Sequence, residues 1–171
     1  NPISGHFSRI SVEYASTALG SHKTDDFVRA TAQTTLYSSF LAGRIVWANS
    51  LRGGILHPLD NNSFGVRFDK KGFILGGRST VRGFESTEFF PSADTLGANY
   101  KVTGNSTYEL IKSELRFPLL PQSDLAGAIF YDGGRVHLDE LASTTTFISE
   151  WRDAVGIGIR YNLPIGPLNL E

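Results

Sequence analysis

Apolar and polar side chains alternate with a period of two along most of this chain. In "FSRISVEYAS" (residues 7–16), Ile10, Val12 and Tyr14 fall on one side, and Arg9, Ser11 and Glu13 on the other. Neighbours in a strand point to opposite faces, so the pattern predicts a strand with one apolar and one wet face. Residues 26–40 repeat it, setting Arg29, Thr31, Gln33 and Thr35 against Val28, Ala30, Ala32 and Leu36. "LAG" then makes a tight turn into residues 43–56, where Ile45, Trp47 and Leu51 share a face. Three more alternating segments lie beyond residue 105. In 106–120, Ile111, Leu115 and Phe117 oppose Lys112, Glu114 and Arg116. In 123–138, Leu125, Ile129 and Tyr131 oppose Ala126, Ala128, Phe130 and Asp132. In 149–164, Val155, Ile157, Ile159, Tyr161 and Leu163 oppose Arg152, Ala154, Gly156, Gly158, Arg160 and Asn162. "PLNLE" begins a further strand, and "DELASTTTF" reads as a loop. The chain is predicted to be all-β and antiparallel, with six strands and the stump of a seventh.

Alternation alone does not say which face is outside. A soluble barrel or sandwich buries its apolar face, whereas a transmembrane barrel turns that face to lipid and keeps a wet lumen. Three features favour lipid. Several strands exceed the roughly 9–11 residues that a tilted membrane strand needs. Short connections ("LAG", "PLLPQSD") alternate with long ones, and aromatics sit near strand ends: Tyr14, Tyr37, Phe40, Phe117, Tyr131 and Tyr161. Membrane barrels start at about eight strands. The segment is therefore expected to be part of a larger barrel, and it starts in mid-pattern with no leader in view.

One connection, about residues 58–105, is too long and too aromatic for a solvated tether. It is rich in Gly, Ser, Asn and charge, yet it holds Phe73, Phe84, Phe89 and Phe90, and in "GGRSTVRGF" a lone Arg82. Taken alone, an arginine in a Gly/Ser loop is a solvated side chain. Asp132-Gly133 also has two readings, a hairpin turn or mid-strand. The strand is preferred, because "AGAIFYD" has no partner of matching length if the chain turns at Gly133.

Composition removes several function classes. The net charge is −1 with no dense Lys/Arg cluster, so nucleic acid is not an expected partner. There is no cysteine, hence no disulfide and no thiolate metal site. No apolar run is long enough for a membrane helix. His6, His22, His57 and His137 are scattered without ligand spacing, so no metal site is expected. "GGRSTVRG" lacks the lysine of a phosphate-binding loop, and no G-x-S-x-G elbow occurs. Asp132 and Glu114 could pair for acid–base work.

Four stretches in order carry a resemblance: "GGRSTVRGFESTEFFP", "KSELRFPLL", "GAIFYDGGRV" and "RDAVGIGIRYNLPIGPLNLE". Together they resemble the Omp85 superfamily of outer-membrane barrels, and within it the BamA- and TamA-type assembly factors. The likeness is close over residues 43–171 and generic before that. It implies residues 1–171 of a sixteen-stranded barrel's C-terminal part, with POTRA domains and the other strands elsewhere. It also implies that residues 58–105 fold inward, with Val81, Arg82, Gly83 and Phe84 as a loop latch. Glu114 and Asp132 would hold Arg82. Gly83 would clear space beside the contact, Phe84 would pack near Phe130, and Gly134 would leave room for the loop backbone.

The implied function is insertion and folding of β-barrel proteins in the bacterial outer membrane. The implied partners are the lipid bilayer, unfolded β-barrel clients and periplasmic accessory proteins reached through upstream domains. No cofactor and no enzyme activity are implied. Two alternatives within the superfamily are a two-partner-secretion pore and a barrel that anchors a fused patatin-like enzyme. A passive porin, lacking the loop-to-wall ion pairs, is a third.

Overall fold

A computed structural model describes residues 2–22, 26–59, 66–90, 101–102, 104–120, 125–139, 146–163 and 166–170. Strands β1 (Gly5–Ala15), β2 (Phe27–Phe40) and β3 (Ile45–Pro58) come first. A short β4 (Val66–Arg67), a helical turn α1 (Phe68–Lys71) and a short β5 (Lys101–Val102) belong to the long connection. Then follow β6 (Ser106–Pro118), β7 (Leu125–Asp139), β8 (Thr146–Ile148), β9 (Arg152–Leu163) and β10 (Gly166–Leu170). The long strands form one antiparallel sheet in the order β1-β2-β3-β6-β7-β9-β10. It is open within these residues, part of a barrel wall. No described helix is long and apolar enough to cross a membrane, which says nothing about strands.

Two features differ from the sequence reading. The long connection is not structureless, since β4 pairs with β5. "DELASTTTF" is not all loop either, because β8 pairs with the end of β7. All three of these short strands are only two or three residues long, too short for a period to show. The stretches 60–65 and 91–100 and residue 103 of the long connection lie outside the described residues. The turn between β2 and β3 holds Leu41 and Ala42 at φ 50° and 56°, a left-handed pair that closes a tight hairpin.

The two faces of the sheet are unlike. Outward, Ile10 is 80% exposed, Val155 73% and Ile157 79%, in company with Val12, Leu51, Ile111 and Ile129. So broad an exposed apolar surface suits hydrocarbon rather than water.

The edge of this apolar band on the side of the long connection supports the same conclusion. It runs through Tyr14 on β1, Ile55 on β3, Ile111 on β6, Tyr131 on β7 and Val155 on β9, and beyond it come His57, Glu109, Arg135 and Asp153. In register, Val155 is level with His6, eight residues from Tyr14, across five strand pairings. At about 3.3 Å per residue and about 4.8 Å between strands, the edge slopes by about 45°. That is the tilt of strands in a membrane barrel. The band is level in a bilayer if the strands are tilted in it.

One of the aromatics near strand ends faces inward. Tyr37 shares the parity of Thr35 and Gln33 and lines the inner cavity with them. It is no part of an outer aromatic belt.

Inward, the sheet carries a layered interior. Nearest the long connection, Phe27, Leu56, Leu110, Val136 and Leu138 of the wall pack against Val66, Phe73, Leu75, Val81, Phe89 and Phe90 of the connection. The Phe73 and Tyr108 rings lie 4.5 Å apart. The layer next to this apolar one is ionic. An inward-folded connection is what gives these aromatics something to bury against.

Candidate functional site

The segment Gly76–Phe84 closes on itself before it meets the wall. Gly77 N–H donates to the Phe84 carbonyl at 2.8 Å, and the Thr80 hydroxyl donates to the Gly76 carbonyl at 2.9 Å. Gly76 has φ 100°, and a Cβ there would lie 2.6 Å from the Ser86 nitrogen. Only glycine fits that position on both counts. The closed loop projects Val81 and Arg82 at the wall, and Val81 is fully buried.

Arg82 meets two strands. Its Nε donates to Asp132 Oδ2 at 2.5 Å and its Nη2 to Oδ1 at 2.9 Å, a two-pronged pairing of planar guanidinium and carboxylate. Its backbone N–H reaches Oδ2 as well, at 3.3 Å. Its Nη1 donates to Glu114 Oε2 at 3.3 Å. The guanidinium carbon stands 3.4 Å from the centre of the Phe130 ring, a stacked cation–π contact. Asp132 has no exposure, and Arg82 and Glu114 are each 8% exposed. Burying a guanidinium without partners is costly, and here each prong has one.

The carboxylates serve more than Arg82. Lys112 Nζ lies 3.3 Å from Asp132 Oδ2 and donates to the carbonyls of Thr80 at 2.7 Å and Arg78 at 3.3 Å. It therefore ties the loop backbone to β6. Glu114 Oε1 accepts from Arg116 Nε at 2.7 Å, and Arg160 Nη2 is 2.8 Å away. Glu114 thus joins the loop, β6 and β9. Both carboxylates are occupied by cations, an arrangement suited to holding the loop rather than to handling a substrate. No group of metal-ligating side chains occurs among the described residues.

The residues singled out in the sequence all lie here, with three differences in how they act. Phe84 does not pair with Phe130. It packs edge-on to Phe89, ring centres 6.0 Å apart, while the Phe130 ring is taken by Arg82. Gly83 is not needed for space, since the nearest atom to a Cβ there is 4.0 Å off. Its φ of 82° is the reason for glycine. Gly134 makes room for the Leu75 side chain (3.1 Å from a Cβ) and the Glu109 carbonyl, rather than for the loop backbone.

Four participants have no role in the sequence reading: Lys112, Arg116, Arg160 and Gly156. Lys112 could have been found, because it shares Glu114's face, two residues away. It also stands opposite Asp132 in the register. Gly156 faces Phe130 across the β7–β9 pairing, and a Cβ there would lie 2.3 Å from the ring. Gly156→Ala is expected to push Phe130 off its seat under Arg82. The expected cost is about 1–3 kcal/mol, read as a lower temperature for the gel-mobility shift of the folded barrel. An unshifted transition would show that the ring has room to move.

The first half of "GIGIR" is thus a flat floor for an aromatic ring, and its arginine is the β9 partner of Glu114. The family model described as the Omp85 superfamily domain matches residues 1–171, the full length of the chain. With that match over an antiparallel, partial barrel wall and an inward loop, the chain belongs to the Omp85 superfamily.

Proposed function

We propose that these residues are the C-terminal part of a sixteen-stranded barrel of an assembly factor, which inserts and folds β-barrel proteins in the bacterial outer membrane. Omp85 membership supports a role in assembly or translocation of polypeptides at a barrel. The narrower reading rests on one observation, the depth at which the loop is built into the wall. Phe73, Leu75, Val81, Phe89 and Phe90 are all buried against it, and Arg82 is held by two carboxylates. Each such side chain contributes about 1.5–3 kcal/mol by burial. Withdrawing the loop to open a polypeptide path through the lumen is therefore expensive.

An assembly factor has no need of that path. It works at the barrel wall, where an exposed strand edge can template a client strand. In this reading the seam strands lie outside residues 1–171, and this segment supplies the Arg82 latch that keeps the barrel rigid while the seam works. The outward apolar band meets the bilayer, and clients arrive unfolded.

Depletion of the protein in its native bacterium tests the reading. Folded, heat-modifiable barrel proteins are expected to disappear from the outer membrane. If they persist while a secreted polypeptide is lost from the medium, the protein is a secretion pore instead.

A further inference from the structure

On the inner face, beside the loop tip, lies a cavity of about 380 Å³. Arg52 and Ser50 line it from β3, Gln33 from β2 opposite Arg52, and Lys112 and Arg116 from β6. Glu114 is the carboxylate among its described lining residues.

The donors on this wall are unequally used. Lys112 Nζ is spent on the Thr80 and Arg78 carbonyls and on Asp132. Arg116 gives Nε to Glu114 and makes no other hydrogen bond among the described residues. Arg52 has only a long contact, Nη1 to the Ser79 carbonyl at 3.5 Å. Its Nε is buried with no hydrogen-bond partner. Ser50 Oγ accepts from the Thr35 hydroxyl at 3.1 Å, which leaves its own O–H free to donate.

A buried guanidinium N–H with no acceptor is unfavourable unless something fills the place. A planar fork with donors to spare, an amide opposite it and a hydroxyl two residues along its strand line one polar space next to an apolar layer. In such surroundings charge pairing is stronger than in open water. A tetrahedral oxyanion presents enough acceptor oxygens for all of them, and guanidinium matches it two-pronged.

We propose that this cavity is an oxyanion site that takes a phosphate group, free or on a glycerophosphate head group, at Arg52 beside Gln33 and Ser50. A bound phosphate offsets the repulsion between Arg52 and Lys112 and braces the β2-β3-β6 wall. Binding therefore stabilises the folded barrel with its loop in place. This site is separate from the Arg82–Asp132 pairing and does not depend on which clients the protein serves.

The test uses the intact protein in detergent micelles, with millimolar inorganic phosphate or glycerol 3-phosphate against chloride at matched ionic strength. The apparent unfolding temperature is expected to rise by about 2–4 °C with a phosphate compound. Arg52→Gln is expected to abolish the rise. A stronger effect of glycerol 3-phosphate than of inorganic phosphate identifies a head group as the ligand, and the opposite order identifies the free ion. No rise with either compound, or an equal rise in Arg52→Gln, overturns the proposal. Should Arg52→Gln fail to fold, phosphorus NMR on the unaltered protein decides. Broadening of the phosphate line by the protein supports the site, and an unbroadened line overturns it.

Discussion

Asp132→Ala is expected to lower the unfolding free energy of the barrel by about 3–5 kcal/mol, the usual cost of removing one partner from a buried ion pair. Asp132 has no exposure and accepts from Arg82 through Nε, Nη2 and the backbone N–H. It also faces Lys112. Its removal leaves two cations close together in an interior that water reaches poorly. The loop then has reason to leave, because Arg82 regains solvent only by withdrawing. Two readouts follow. The heat-induced mobility shift should occur at a lower temperature, and trypsin should cut at Arg78 and Arg82 in the folded barrel. Asp132→Asn, which keeps the shape and one acceptor, should lie between the variant and the parent. An Asp132→Ala barrel with the parent's stability and a protected loop would show that the ion pair contributes nothing net.

Glu114→Ala is expected to cost a similar amount, about 3 kcal/mol, but with a different signature. Glu114 accepts from three arginines, one from the loop and two from the wall. Its loss sets Arg116 and Arg160 against each other across the β6-β7-β9 wall. Arg82 nevertheless keeps its two-pronged hold on Asp132 and its place over Phe130. Stability measured in urea should therefore fall while the loop stays largely resistant to trypsin. Equal loop cleavage in the two variants would mean that Glu114, not Asp132, is the main anchor.

Much of this arrangement could be read from the chain. Long strands with strict alternation fixed the faces, because a residue's parity decides its side. That is why Asp132, Glu114, Lys112, Arg116 and Arg160 share the inner face. Tyr37 shows where a looser rule misled. Its place near a strand end suggested an outer belt, but its parity with Thr35 put it inside. The short strands β4, β5 and β8 could not be read, since two or three residues carry no period.

The details around Arg82 escaped for another reason. Whether Phe130 would meet Phe84 or Arg82 depends on the exact path of the loop, which local pattern does not encode. Gly156 was visible as a glycine on the inner face. Its purpose appears only when the register sets it opposite Phe130. Gly83 was noticed for the right position and the wrong cause, because φ is not legible in a sequence.

The central claim is that Arg82 and Asp132 together hold the loop to the wall. A double-mutant cycle on Arg82→Ala and Asp132→Ala, read from unfolding free energies of the barrel, tests it most directly. The pair is expected to couple by about 2 kcal/mol or more, with the double variant costing clearly less than the two single changes added. Strict additivity would mean that the two residues act independently, and the loop would have to be held by its apolar contacts alone.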